Sequence, residues 1–238
     1  MLKSSFVALL VTATAALIWL RFIDFLAHRG VIPSDVSRKL IHIGTGPIFV
    51  VCWLLFPDEP NARLFAAAVP LLITAQFILV GSGLIKDQAA VDSMSRSGDR
   101  REILRGPMFY GIVFVLLTIV FWKESPVGIA ALMMLCGGDG LADLAGSRLK
   151  SSVLPWAARK SIAGSVMMFL GGFLLTCVIL LIYNWAGVIR GAISDFSWEI
   201  VLLAFTGMIV ESLPFKDIDN ITVPLAIVIL GSFLFPIW

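Results

Sequence analysis

Long apolar stretches separated by short polar ones dominate the chain. A helix that crosses a bilayer needs about 20 mostly apolar residues. Eight segments approach that requirement: 4–26, 40–56, 64–85, 106–122, 127–145, 164–184, 200–213 and 220–236. The pattern predicts an all-α integral membrane protein, a single bundle of about eight transmembrane helices over 1–238. No polar linker is long enough to divide it, and no internal repeat or low-complexity tract is present. The fifth and seventh segments are unusual, since each ends in acidic residues followed by glycine or proline. The first segment, "MLKSSFVALLVTATAALIWL", has the charge, apolar core and small residues of a signal peptide. Its apolar run continues through Trp19 and Leu20 without a polar cleavage region, so it reads as a retained first helix.

Composition sharpens the class. The 238 residues are 59% hydrophobic and 14% charged, with a mean hydropathy of +0.97. A soluble domain of this size cannot hide that much apolar side chain. The three cysteines, Cys52, Cys136 and Cys177, lie in apolar segments without metal-site spacing and read as small buried residues. The net charge of +2 says little, but its distribution says more. If the loops after helices one, three, five and seven share a side, that side holds fourteen of the 18 Lys and Arg residues, and the other holds Lys3, Arg63, Lys123 and Arg190. The positive-inside bias predicts that the basic side is cytoplasmic and that both termini face out. The chain shows no long Ser/Arg-rich transit extension, which points to a bacterial membrane, cyanobacterial among them, or to a trimmed chain.

Five polar clusters, far apart in sequence, converge on that basic face: "SRKLIHIGTG" (37–46), "SRSGDRREILRGP" (95–107), "GGDGLADLAG" (137–146), "ARKSIAGS" (158–165) and "ESLPFKDIDN" (211–220). Asp139 and Asp143 are spaced i, i+4 and share a helix face, where they repel each other unless a cation or proton intervenes. Gly137, Gly138, Gly140 and Gly146 let backbone or ligand approach closely and favour a helix break. Glu211, Asp217, Asp219 and Asn220 add oxygen ligands around Pro214. Hard oxygen donors of this kind suit Mg²⁺, which keeps some waters and bridges substrate phosphates. Solvated helix ends with ordinary caps are the plainer account. The set Asp139, Asp143, Glu211 and Asp219 favours a metal role, because ionisable groups at membrane ends are costly.

Lys160, Ser161 and Ser165 fall where the sixth helix begins, and a helix N-terminus attracts phosphate. Arg38 and Lys39 precede the second helix. Arg100, Arg101 and Arg105 cluster in the longest basic loop, interleaved with Asp99 and Glu102. Binding of anionic headgroups explains Arg21 and Arg29 well and the interleaved cluster poorly. His42 is equally suited to a phosphate contact and to capping. Carboxylates, basic groups and helix N-termini together describe a phosphoryl-transfer or nucleotide site. It is not a P-loop, because G-x-x-x-x-G-K-[ST] is absent, and the protein-kinase motif set is absent as well.

These motifs, in this order, resemble polyprenol kinases of the phytol kinase type, relatives of farnesol and geranylgeraniol kinases and, more distantly, of dolichol kinases. The matching pieces are "RKLIHIGTG", "SGDRREILRGPMFY", "FWKESPVGIAALMMLCGGDGLADLAG", "RKSIAGSVMMF" and "VESLPFKDIDNITVPLA". They cover most of the chain from Ser37 onward and leave the first helix, 1–26, outside. The resemblance implies transfer of a phosphoryl group from a nucleoside triphosphate, typically CTP, with UTP the other candidate, to a long isoprenoid alcohol in the bilayer, with Mg²⁺. In phytol kinases the product feeds tocopherol synthesis. The resemblance places Mg²⁺ on Asp139, Asp143 and Glu211, with Asp219 as a further ligand or base. It places phosphates on Lys160, Arg100 and Arg101, helped by Arg38, Lys39 and His42, with Gly138, Gly140, Ser161, Ser165 and Asn220 completing the nucleotide site. Two departures matter. Ser147, Arg148 and Lys150 follow "GDGLADLAG" where the family often continues with Arg and a later Gly. Ile218 stands where a second acid is common, which leaves Asp217 and Asp219 competing for one role. A cytidylyltransferase that makes a CDP-lipid is the alternative enzyme, and a membrane transporter the alternative of another class.

Overall fold

The eight apolar segments all become helix in the computed structural model, which describes residues 1–95, 97–189, 193–215 and 218–235. In chain order come α1 (Ser5–His28), α2 (Ser34–Cys52) with a 3-10 turn Trp53–Leu55, α3 (Ala62–Ser82), the short α4 (Gln88–Met94) and a 3-10 turn Arg100–Leu104. There follow α5 (Gly106–Val120), α6 (Pro126–Met133), a π-helical turn Met134–Gly138 and α7 (Asp139–Arg148). A hairpin of β1 (Val153–Leu154) and β2 (Ala157–Ser161) leads into α8 (Ile162–Trp185), α9 (Ser197–Glu211) and α10 (Asp219–Leu234). Among the described residues, six helical stretches are long and apolar enough to cross a membrane: Ser5–His28, Asp35–Leu55, Ala62–Ser82, Arg100–Val120, Pro126–Arg148 and Ile162–Trp185. Helix α10 is apolar but shorter. The protein is thus an all-α membrane protein, with one small hairpin among the described residues.

That hairpin departs from the sequence expectation, which placed Lys160 and Ser161 at the start of the sixth helix and no strand before it. β2 pairs antiparallel with β1, and Ser161 ends it as the N-cap of α8, its Oγ accepting from Gly164 N at 3.2 Å. The 86–105 loop also holds more structure than its polarity suggested. Asp87 caps α4 by accepting from Ala90 N, and Asp99 caps the next 3-10 turn by accepting from Arg101 N. Short polar caps of this type start helices too brief to show periodicity.

The bundle is built around its fifth apolar segment. All eight residues of α6 are buried, and α2, α5, α8 and α10 pack around it. Over its hydrophobic window, Pro126–Arg148 is 78% buried, against 39% or less for the other five spans. The glycines expected to break this helix instead accompany a π turn, which keeps the rod continuous and re-aims α7. They also admit α8, since a Cβ on Gly171 would lie 2.7 Å from the Gly137 carbonyl oxygen.

The ends of the bundle are chemically distinct. At one end Leu2 N donates to Leu55 O, Ser5 Oγ to Glu59, and Lys123 Nζ to Asp58 at 2.5 Å and to Phe56 O at 3.2 Å. Gly231, near the end of α10, packs on Val127 at the start of α6, so α10 finishes at that same end. The other end gathers the starts of α2, α5, α8 and α10 and the finishes of α1, α3, α7 and α9.

Candidate functional site

The π turn delivers Asp139 to the first residue of α7 and leaves Asp143 one turn further on the same face. Helix α2 answers both acids. Lys39 forms an ion pair with Asp143, and His42 Nε2 lies 3.5 Å from Asp139 Oδ2 and 3.2 Å from the Leu135 carbonyl. The repulsion expected between the two carboxylates is therefore met by a lysine and a histidine from a neighbouring helix. Gly140 makes this approach feasible, because a Cβ there would stand 2.4 Å from Ile43 Cγ1 and 3.2 Å from His42 Cδ2.

Lys160 projects from β2 beside the acids of α9 and α10. It forms an ion pair with Glu211 and lies 3.6 Å from Asp219 Oδ2. The Glu211 side chain is only 7% exposed. Burial pulls the Lys160 ammonium pKa down. The Glu211 hydrogen bond and the charges of Glu211, Asp219 and Asp139 outweigh it, so the pKa stands above the ordinary lysine value. Glu211 and Asp219 thus share one lysine, and the charge of Asp139 acts on the same group. Trp156, at the tip of the hairpin, donates from Nε1 to Ser212 O at 3.0 Å and fastens the lysine-bearing strand to the end of α9.

These groups line a cavity of about 1370 Å³. Its charged end holds Asp139, Asp143, Lys160, Glu211 and Asp219, with Arg38, Lys39, His42, Ser161, Ser165 and Asn220. Ser165, on the first full turn of α8, is 9% exposed, and its Oγ has no hydrogen-bond partner. Asn220 donates from Nδ2 to the Gly106 carbonyl at 3.0 Å, tying α10 to the start of α5. Arg38 donates to Ser95 O at 3.0 Å.

Other sequence candidates are placed elsewhere. Arg100 lies over Gly83, where a Cβ would meet its guanidinium, and neither it nor Arg101 lines the cavity. Arg105 does. A 3-10 turn rather than a loop aims these arginines, and sequence spacing does not reveal that. Gly138 packs under Met168 and acts in helix packing. Asp217 lies outside the described residues, so the contest between Asp217 and Asp219 is described for Asp219 alone. Tyr110 escaped the sequence reading. Its ring lies 4.4 Å from that of His42, tilted by 40°, and its hydroxyl donates to His42 O at 3.1 Å and lies 3.1 Å from Cys136 Sγ. The one available signal was its rarity, as one of two tyrosines, inside an apolar helix.

Among the described residues, no group of three or more His, Cys, Asp or Glu side chains is set as a ready metal cage. The four expected acids are shared between Lys39 and His42 on one side and Lys160 on the other. Their chemistry still fits Mg²⁺, which takes one or two carboxylates and fills its remaining positions with phosphate oxygens and water.

Membrane helices that bring a charged cluster to the mouth of an apolar cavity define the class: an integral membrane enzyme with its polar chemistry at one end of the bundle. Comparison with known proteins supplies the particular family. The chain is 40% identical over 237 residues to a protein of Triticum aestivum named "Probable phytol kinase, chloroplastic", covering 99% of this chain and 79% of the relative. It is 39% identical to a Zea mays protein of the same name, covering 98% and 78%. It is 38% identical over 218 residues to "Phytol kinase 1, chloroplastic" of Arabidopsis thaliana, covering 89% and 70%. The chain belongs to the phytol kinase family, and it is a lipid kinase. No protein-family profile matches it, nor does any solved structure. The relatives are plant proteins named as chloroplastic, which overturns the expectation of a bacterial membrane.

Proposed function

We propose that the protein transfers the γ-phosphoryl group of a nucleoside triphosphate, CTP by the family resemblance, to the hydroxyl of phytol or a closely related isoprenoid alcohol. One observation carries this reading beyond family membership: a single cavity joins the lysine-bridged acid cluster to an apolar arm inside the bundle. An alcohol in the bilayer can present its oxygen to the charged end while its tail stays among hydrocarbon. We propose further that α9 and α10 also cross the membrane, which makes eight spans, with both termini on one side and the site at the opposite, Lys- and Arg-rich face.

In-line phosphoryl transfer needs positioning and charge neutralisation more than covalent help. Lys160 holds phosphate oxygens as a point charge. The N-terminus of α8 contributes the positive end of its dipole, with Ser161 and the unpartnered Ser165 hydroxyl beside it, while the N–H groups of Ile162, Ala163 and Gly164 are taken by Ser152 O, Ser151 Oγ and Ser161 Oγ. Arg38 and Lys39 draw the nucleotide to the basic end, and Asn220 fixes the start of α10 against α5. Asp139 and Glu211 would hold Mg²⁺ with Asp143 and its Lys39 partner behind them, and the ion would neutralise charge on the phosphates. Asp219 accepts the proton that the alcohol oxygen loses as its bond to phosphorus forms and the nucleoside diphosphate leaves.

The test is to incubate the purified protein with phytol, geranylgeraniol or farnesol and with γ- or α-labelled CTP or UTP. Transfer of γ-label alone to the alcohol supports the kinase reading. Transfer of α-label, with release of pyrophosphate, would replace it with the cytidylyltransferase reading.

A further inference from the structure

The apolar arm of the cavity has a defined end. Along α1 its lining runs from Asp24 at the charged mouth to Leu9, about 22 Å of helical rise, through Leu20, Ala16 and Ala13. Opposite, Phe49 of α2, Val69 of α3 and Phe114 of α5 line the deep end. The rings of Phe49 and Phe114 lie 5.7 Å apart, and each residue is 3% exposed. Behind them stands fully buried Trp53, 5.8 Å from Phe49 and 5.2 Å from Trp122. The arm therefore stops against packed aromatic rings while hydrocarbon thickness still remains, since a bilayer core is about 30 Å thick. Higher up, Leu17 and Leu72 both line the cavity and face outward, at 58% and 67% exposed, so a tail has a sideways route in from lipid.

We infer that Phe49 and Phe114 form a floor that sets the longest isoprenoid alcohol the enzyme accepts, with Ala13 as the small residue that keeps the last part of the arm open. This rests on the kinase reading above. A tail that fits the arm seats its hydroxyl at Lys160 and the acids. A longer tail must fold back or stay partly outside, and either outcome lifts the hydroxyl off the phosphate. Chain-length preference then resides at the floor, where Phe49 lies about two helical turns along α2 from His42.

The experiment compares kcat/KM of the full chain for farnesol, geranylgeraniol, phytol and the longer solanesol, in wild type, Phe114→Ala, Phe114→Leu and Ala13→Phe. Lowering the floor with Phe114→Ala should raise the solanesol-to-geranylgeraniol ratio about tenfold or more, the range one or two lost contacts typically produce in an apolar pocket. Phe114→Leu should raise it less. Ala13→Phe should shift preference the other way, toward farnesol over phytol, with the KM for nucleotide unchanged. If Phe114→Ala does not fold, Phe114→Leu and Ala13→Phe decide the matter. Unchanged ratios in an active enzyme overturn the floor and leave the kinase reading standing. A wild-type protein that phosphorylates none of the alcohols overturns that reading, and the floor with it.

Discussion

Lys160 is the residue on which the charged end of the cavity depends, because it faces Glu211 and Asp219 at once. Removing it leaves a largely buried carboxylate unpaired, a situation that costs up to about 3 kcal/mol where the partner is partly solvated. Lys160→Ala should therefore lower the melting temperature as well as kcat/KM for nucleotide, and a Glu211→Gln, Lys160→Ala double variant should recover stability without recovering activity. Full activity in the single variant would return Lys160 to the role of a topology signal. Its raised pKa fixes the sign of the pH effect. The ion pair's contribution is complete below the ordinary lysine pKa and fades only as pH climbs through the higher folded value. Activity lost below about pH 10 then belongs to another group, and a Lys160→Arg variant should keep the same alkaline limb. For Asp139 the expectation is a kcat loss of about a hundredfold on Asp139→Asn, the scale of removing one preorganised electrostatic contact. Because His42 from α2 already answers that acid, the substitution also removes an attraction. Thermal stability should thus fall slightly; the rise that relief of repulsion alone would give would point to an unpaired acid.

At the scale of elements, the eight apolar segments and the motif clusters were legible because length and hydropathy alone place a membrane helix. The acid residues were legible because charge is conspicuous in such a background. What sequence hid was orientation. Arg100 and Arg101 belong to a five-residue 3-10 turn whose direction is set by the Asp99 cap and by Gly83 beneath. Lys160 reaches its acids from a strand held by pairing and by the Trp156 hydrogen bond, contacts distant in sequence. Tyr110 became visible only once α5 lay against α2. The π turn was hidden as well, since the glycines that permit it read equally as a helix break. It carries its own prediction. Gly171→Ala would put a methyl 2.7 Å from the Gly137 carbonyl, and overpacking of that kind costs about 1–3 kcal/mol. The variant should melt earlier and lose kcat, since the displaced turn carries Asp139. A variant with lower stability but normal kcat would show that the turn does not position the acid.

At the scale of the molecule, the proposed topology predicts labelling from opposite sides. In a cysteine-free background in sealed vesicles, Ser97→Cys and Asn61→Cys, both at exposed positions, should never react with an impermeant thiol reagent from the same side. Reaction of both from one side would overturn the arrangement. The central place of α6 has a further consequence. Its span is 78% buried by the rest of the bundle, while that of α1 is only 17% buried. The bundle works like a wheel whose hub carries Asp139 and Asp143 and whose rim carries the tail groove. Bilayers of different thickness will tilt the rim and leave the hub where it is. Moving the protein from thin to thick lipid should therefore change the KM for the alcohol and leave that for the nucleotide alone, so that membrane composition tunes which lipid is taken up without touching the phosphate chemistry.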